Sequence, residues 1–364
     1  MIQEVVQKTL KPLTVDIDHG KYTTEVLSEL GKIDAYSPHI PSQNGGKLDL
    51  FKTIHNMALV SEECMSTGFM MWAHTVCAWY IENADNEYLK TEILPKMMTG
   101  ELFGATSLSN PMKYFAGIEP LKISAIETED GYILNGALPW VSNIWPESDK
   151  HFFGSIFHVQ DEEGNTLRDA MALIPCDLEG LTLQQQVEFV GMEGTGTFAM
   201  VFDNAFLPKK YLLADPVGPY LQKIKAGFVL LQAGMAVGVI QGCINEMNQS
   251  NLSQSAINQY LDNTPEELQE ELNDAVEIVK ELCETPYTPG DEFFRSVLEA
   301  RLLGAEICKR AADSVMQHAG AKGYIVDAPA QRKWREAYFV IIVTPSIKHL
   351  RKEIQRLEVG LEAA

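Results

Sequence analysis

Apolar positions along the chain change their spacing twice. Residues 1 to about 100 read as helical, and the stretch 50–82 carries apolar side chains at helical spacing, rich in Met, Ala and Trp. Ile93-Leu94-Pro95-Lys96-Met97-Met98-Thr99-Gly100 closes a helix with a glycine just past its end. From about 104 to 210 the period falls to two. Segments 122–127, 132–138, 152–159, 170–175 and 198–206 predict strands, separated by turns such as Glu129-Asp130-Gly131 and Asp161-Glu162-Glu163-Gly164. Beyond about 219 helical spacing returns. Residues 228–247 are almost wholly apolar, and Gly234, Gly238 and Gly242, four apart, let a second helix approach closely. Thr264-Pro265-Glu266-Glu267 reads as a helix start, with Thr as cap, Pro at the first position and Glu three beyond the cap. Residues 293–318 predict a further helix with Gly320 past its end, and a last one starts near Pro345 and runs through Leu357.

This order predicts an α+β fold in three parts. They are an N-terminal helical domain (1–103), a central antiparallel β-barrel or sandwich (104–215) and a C-terminal four-helix bundle (216–364). The central helix, apolar all round, must be covered on every side, which favours an oligomer, a dimer or tetramer.

Composition narrows the function classes. The 364 residues are 46% hydrophobic and 22% charged, ordinary values for a globular protein. The net charge of −21 repels nucleic acid and anionic membranes, so any phosphate site must be locally basic. Six scattered cysteines form no CxxC pair, which argues against a metal site or a disulfide framework. No Gly-rich phosphate loop and no strand–helix alternation occur, which argues against a dinucleotide fold of the Rossmann kind. Met1-Ile2-Gln3-Glu4 does not resemble a secretory leader, and no apolar run reaches membrane-spanning length, so the expected setting is the cytoplasm.

The segment Leu134-Asn135-Gly136 to Trp140-Val141-Ser142-Asn143 is the richest in chemistry. In a strand, Trp140 and Ser142 point to one face. A broad aromatic plane beside a small hydroxyl suits a flat heterocycle, with the indole over the ring and the hydroxyl at its edge. The chain also has one basic cluster, Arg332, Lys333 and Arg335 with Lys348, His349, Arg351 and Lys352, able to receive a phosphate or an acidic partner. His74, on an early apolar helix, reads as a core histidine.

Five segments, in order, resemble motifs of the acyl-CoA dehydrogenase superfamily. Pro41-Ser42-Gln43-Asn44-Gly45-Gly46 is similar to its P-x-x-x-G-G entry. Leu134-Asn135-Gly136 with Trp140-Val141-Ser142-Asn143 resembles its L-N-G-x-K-x-W-I-T/S-N signature. Gly191-Met192-Glu193-Gly194-Thr195-Gly196-Thr197, running on to Val201-Phe202 and Leu207-Pro208, resembles G-x-R-x-S-x-T…V-F-x-x-V-x-V-P. Gln317-His318-Ala319-Gly320-Ala321-Lys322-Gly323-Tyr324 is similar to Q-x-x-G-G-x-G-Y, and Arg332-Lys333-Trp334-Arg335-Glu336-Ala337 to E-R-x-x-R-D-A. The resemblance implies an FAD between the strand domain and the C-terminal bundle. It places Trp140 against the isoalloxazine and Ser142 near its N5 edge. It sets Thr106 and Ser107 at the flavin edge, and Gln317 and Gly320 against the FAD of a neighbouring subunit, commonly in a homotetramer.

The departures bear on the reaction. The family removes the α-proton of an acyl thioester with a glutamate while flavin takes the β-hydride. The position of that glutamate is Thr344, followed by Pro345-Ser346, and the alternative position used by some members falls near Phe228. Neither residue accepts a proton near neutral pH. Glu119, Glu147, Asp149 and Glu336 read as loop charges or structural ion pairs. The family's R-x-x-F-G has no counterpart between about 250 and 262, Glu193 stands in place of Arg, Ala321 replaces a Gly, and Thr106-Ser107-Leu108-Ser109-Asn110-Pro111 replaces the T-E-P loop.

Three activities follow as expectations. The first is an FAD-dependent dehydrogenase acting on an acyl thioester with a displaced base, passing electrons to an electron-transfer flavoprotein or a reductase. The second is a flavin-dependent monooxygenase of the same fold, which needs no α-proton base. The third is a non-catalytic or half-site subunit of a heteromeric acyl-CoA dehydrogenase.

Overall fold

The computed structural model describes residues 1–185 and 187–362. The chain opens with α1 (Ile2–Val5), α2 (Thr14–Asp18) and α3 (Glu25–Lys32), then α4 (Leu50–Glu63), α5 (Met65–Asn83) and α6 (Leu94–Met98). Asp49 caps α4 by accepting the Lys52 N–H at 2.8 Å. The helical run expected over 50–82 is broken at Cys64, whose backbone is extended (φ −146°, ψ 111°). Groups far along the chain hold the break. The Glu336 carboxylate accepts the Met65 N–H at 3.1 Å, and Arg332 and Lys333 donate to the Glu63 carbonyl at 2.7 and 3.1 Å. Those bonds satisfy the backbone groups that the break leaves open.

The central sheet has eight strands. They are β1 (Phe103–Thr106), then, after the short helix α7 (Ser109–Phe115), β2 (Ile123–Glu127), β3 (Gly131–Val141), β4 (His151–Gln160), β5 (Thr166–Pro175), β6 (Leu181–Gln184), β7 (Phe198–Pro208) and β8 (Leu212–Ala214). The order is β6-β7-β3-β2-β4-β5-β8, with β1 also on β4. The sheet is mixed rather than wholly antiparallel. β1 runs parallel to β4 over His151–Gly154 and β2 over His158–Gln160, so the two lie end to end along one side of β4. Helix α7 makes this possible by carrying the chain from the end of β1 to the start of β2 in the same direction. β4, covered on both sides, is accordingly apolar and buried over most of its length.

The C-terminal part comprises α8 (Gly218–Leu231), α9 (Ala233–Asn258), α10 (Pro265–Cys283), α11 (Asp291–Ala319), α12 (Pro329–Ile342) and α13 (Ile347–Glu362). The capping box at α10 forms: Thr264 accepts the Glu267 N–H at 3.2 Å, and the Glu267 carboxylate accepts the Thr264 N–H at 2.9 Å. The glycines of α9 meet α4. A Cβ at Gly234, Gly238 or Gly242 would sit 2.8, 2.3 and 2.7 Å from the carbonyl oxygens of Ile54, Ala58 and Glu62.

Two expectations change here. Gly218–Asn258 is long and apolar enough to cross a membrane by length and composition, with a window of mean hydropathy 1.7, but 83% of that window is buried inside the chain. Its cover is this chain's own α4 and α11, so its all-round apolarity does not by itself call for an oligomer. The N- and C-terminal helices share one hydrophobic core, running from Val5 to Leu357, while the sheet keeps its own around Phe153, Phe157 and Met200.

Candidate functional site

The end of β3 is locked in place by one asparagine. Asn143 is fully buried and left-handed (φ 60°), a conformation that Asn tolerates better than most residues. Its Nδ2 donates to the Gly104 carbonyl of β1 at 2.8 Å, its backbone N–H donates to Thr195 O at 2.8 Å, and its Oδ1 accepts from the Tyr22 hydroxyl at 3.1 Å. Tyr22 stacks on Trp145 (5.0 Å, 9°) and shares a 2.8 Å bond with His151, whose other nitrogen meets Ser148 at 2.7 Å. Burial holds His151 down to about 4. Sequence reasoning assigned Asn143 no role of its own. Its signal was its place directly after Ser142 in the motif.

A register shift between Leu138 and Val141 breaks strand alternation at the site. Pro139 and Trp140 therefore both face outward while Val141 turns in. Trp140 is 50% exposed, and the Phe189 ring stands at a steep angle to it (72°) with 6.5 Å between ring centroids. Ser142, half-buried, shares a 2.6 Å hydrogen bond with Thr197. Thr197 meets Thr195 at 2.8 Å, and the Thr195 hydroxyl donates to Met192 O at 2.8 Å. The turn bearing these threonines is pinned by Gly196 (φ 58°), where a Cβ would fall 2.6 Å from the Tyr22 ring.

The other expected flavin contacts divide. Thr106, half-buried at the end of β1, meets the Tyr80 hydroxyl at 2.8 Å. Ser107 does not face the same side. It is buried, and its hydroxyl lies 3.1 Å from Gly154 O and 2.8 Å from Ser155 Oγ, so its hydrogen bonding is spent on β4. Gln317 and Gly320 sit on the surface where α11 ends, next to Tyr324, Ile325 and Val326, which are 84%, 62% and 80% exposed.

Of the two base positions, Phe228 is buried and Thr344 is half-buried with its polar groups already paired. The Thr344 hydroxyl shares a 2.9 Å bond with Ser109, and its carbonyl accepts from Gln232 Nε2 at 2.9 Å. Gln232 in turn accepts from the buried Arg301 at 2.7 Å. Phe228 is buried, edge-on to Trp72 (5.5 Å, 70°) and nearly parallel to Tyr80 (6.4 Å, 12°). Phe69 stacks on Trp72 at 5.5 Å and meets Phe339 at 4.7 Å. A ladder of rings thus runs from α8 through α5 to α12, just short of Thr344. The acids considered earlier lie elsewhere. Glu147 and Asp149 are exposed, Glu119 accepts from Asn110 at 2.9 Å, and Glu336 is the buried partner of Arg332 and Lys333 at 3.0 and 2.8 Å.

The basic cluster also dissolves. Arg332 and Lys333 are committed to Glu336, Arg335 to Asp18 at 2.5 Å, and Arg351 to Glu306 at 2.6 Å, while His349 is buried rather than solvated. A groove of about 420 Å³ opens beside Asp18, Tyr324, Asp327, Trp334 and Arg335, and a 2.7 Å bond from His19 to Asp327 crosses it. His74 is the core histidine that the sequence indicated, held between Met97 O (3.0 Å) and Gly104 N–H (3.1 Å).

Known proteins match over most of this framework. Residues 1–101 match the family described as "Acyl-CoA dehydrogenase, N-terminal domain", and residues 230–342 match "Acyl-CoA dehydrogenase, C-terminal domain". The mitochondrial short-chain specific acyl-CoA dehydrogenase of Mus musculus is 23% identical over 370 residues, covering 98% of this chain and 87% of the mouse protein. Butyryl-CoA dehydrogenase from Megasphaera elsdenii superposes with a TM-score of 0.84 at 17% identity, covering 98% of this chain and 96% of its own. Dibenzothiophene monooxygenase from Paenibacillus sp. A11-2 does so at 0.81 and 14%, covering 99% and 96%. Motifs, architecture and relatives agree: the chain belongs to the acyl-CoA dehydrogenase superfamily.

Proposed function

We propose that this chain is an FAD-dependent oxidoreductase of acyl-CoA dehydrogenase type that works on an acyl thioester, with its general base missing from both usual positions. The observation that supports this is Trp140, a large aromatic half-exposed at the end of β3, with Ser142 two residues further along the chain. A side chain of this size left open to water at a pinned bulge reads as a surface for a flat partner. The residues fit the isoalloxazine end of FAD. They fit its diphosphate end less well, because Glu193 replaces an arginine and no arginine occurs in 250–262. When bound, FAD supplies a two-electron acceptor. Trp140 would lie against its ring and Ser142 at its edge, with Asn143 holding the end of β3 to β1. An electron-transfer flavoprotein or a reductase completes the electron path.

The test is a visible spectrum of the purified protein, followed by anaerobic titration with a panel of acyl-CoA thioesters. Flavin absorption that bleaches with one of them supports the reading. Protein that stays colourless when FAD is added overturns it.

The aromatic ladder favours a second reading. With Phe228 packed on Trp72 and Tyr80, and Thr344 tied to Ser109, the chain itself offers no proton acceptor at either position. A half-site subunit, paired with a homologue that supplies the base, has this form. It predicts thioester-dependent bleaching only after co-expression with such a homologue. Oxygen consumption by the reduced lone chain would point instead to a monooxygenase.

A further inference from the structure

The hydroxyls of Ser142, Thr197 and Thr195 form a row that ends on a carbonyl. The contacts are 2.6 Å from Ser142 to Thr197, 2.8 Å from Thr197 to Thr195, and 2.8 Å from Thr195 to Met192 O. Each hydroxyl carries one proton, and a carbonyl can only accept. Three contacts and three protons therefore admit one arrangement in which none is left as two facing lone pairs. Thr195 donates to Met192 O, Thr197 donates to Thr195, and Ser142 donates to Thr197. The proton of Ser142 is consumed inside the protein, and only its lone pairs remain for anything outside.

The row is not free to turn round. Thr195 is buried, and its backbone carbonyl is held by the Asn143 N–H at 2.8 Å. Met192, in the left-handed region (φ 66°), heads the short turn 193–195, and its carbonyl accepts both the Thr195 hydroxyl at 2.8 Å and the Thr195 N–H at 3.3 Å. Reversing the row would leave the Met192 carbonyl and the Thr195 oxygen 2.8 Å apart with no proton between them, so the reversed order is disfavoured even though the Thr195 N–H still reaches that carbonyl at 3.3 Å.

We infer that Ser142 is a one-way positioning residue: it accepts a hydrogen bond from its ligand and does not donate one. The inference rests on the flavin reading above and deepens it. Oxidised flavin presents a bare N5 that can only accept, whereas reduced flavin presents an N5–H that donates. An acceptor-only Ser142 is mismatched to the first and matched to the second. The threonine row thereby tilts the site towards the reduced cofactor by setting the polarity of Ser142. Sequence alone could not show this, because the polarity is set by a carbonyl 50 residues from Ser142 and by a left-handed turn.

The test separates this from the flavin assignment. In the wild-type chain, anaerobic titration measures affinity for oxidised and for reduced FAD, and spectroelectrochemistry measures the midpoint potential. Thr197→Val keeps the shape and frees the Ser142 proton. The expected result is about a tenfold loss of the preference for reduced FAD, which for a two-electron couple is a fall of about 30 mV. Thr195→Val, one hydroxyl further away, should act in the same direction, because Thr197 can then donate to Ser142. Thr197→Ser should restore the wild-type potential. Flavin that binds all three variants at an unchanged potential overturns the inference and leaves the flavin reading intact. Neutron diffraction on deuterium-exchanged protein reads the row with no flavin present. Deuterons pointing from Ser142 to Thr197 and from Thr195 to Met192 O are expected, and a Ser142 deuteron aimed outward overturns the inference.

Discussion

On the proposed function, the end of β3 and the ladder between α5, α8 and α12 are the cofactor face and the base region of one site. They are built in opposite ways. At the end of β3 the backbone is over-determined: Asn143 ties together β1, the Thr195 turn and Tyr22, yet Trp140 is left open. At the ladder, side chains close the space: Tyr80, Phe228, Trp72, Phe69 and Phe339 touch in sequence, and Thr344 is tied down beyond them. A cofactor face needs an exposed plane on a rigid frame. A base needs an acid with room in front of it. The first region presents such a plane at Trp140; in the second, rings fill the space around Phe228 and a hydrogen bond to Ser109 engages Thr344.

Acid should strike both regions and so gives the largest effect. Burial holds His39 and His151 to about 4 and His74 to about 3. The unfolded chain protonates these groups near 6.5, before the folded chain does. Stability is therefore intact above about pH 6.5 and falls as pH drops towards about 4, by about 1.4 kcal/mol per pH unit for each histidine. Urea unfolding at a series of pH values measures this. His151→Gln, beside the end of β3, should remove roughly one histidine's share of the slope and leave the rest with the helical core. A slope unchanged by that variant would show that the β3 frame is not acid-sensitive.

Glu336→Ala comes next. Glu336 is the one acid of α12 near the family's motif, and it is buried against Arg332 and Lys333. Its removal leaves the buried Lys333 and the largely buried Arg332 with only the Glu63 carbonyl and frees the Met65 N–H, at a cost of about 3 kcal/mol. Equilibrium unfolding should show that loss. A fully stable variant that had lost only its chemistry would make Glu336 the displaced base and dissolve the contrast between the two regions.

What could be read from the sequence follows the same division. Period-two spacing located the five longer strands, because each has enough residues to alternate. β1, β6 and β8 have four, four and three residues, too few to show a period. The glycines of α9 announced a close helix neighbour but not which one. It proved to be α4, so a helix that looked uncovered was covered from within. The break at Cys64 was illegible because its partners, Arg332, Lys333 and Glu336, lie about 270 residues away. The same three residues looked like part of a basic surface, since one-dimensional charge counting cannot see that Glu336 neutralises its neighbours in the interior. The exposure of Trp140 at the end of β3 agrees with a strand reading of that segment, whereas Ser142 lies just past the strand. The inward turn of Ser107 was not legible, being decided by Gly154 and Ser155 on β4.

Thr344→Glu asks whether the base is missing by identity or by space. The substitution loses the bond to Ser109, at about 0.5–1.5 kcal/mol. If the ladder fills the interior, the new carboxylate has no substrate carbon before it. Exchange of the acyl-CoA α-proton with deuterated water should then stay at background in the single variant. Exchange well above background in Thr344→Glu alone would show that space for a thioester survives, and that only the residue type was lost.

Trp140→Ala should cost the least in stability and says most about the open face. Half of the side chain is already in water and its internal neighbour is the Phe189 ring, so truncation should change unfolding free energy by about 0.5 kcal/mol. Flavin affinity should fall by about tenfold, the equivalent of about 1.4 kcal/mol of ring stacking. A fluorescence titration with FAD beside a thermal unfolding curve reads both from one preparation. The two quantities must move unequally. A large drop in melting temperature with unchanged FAD affinity would make Trp140 an ordinary packing residue at a strand end, and the exposed indole could no longer be the support for a flavin site.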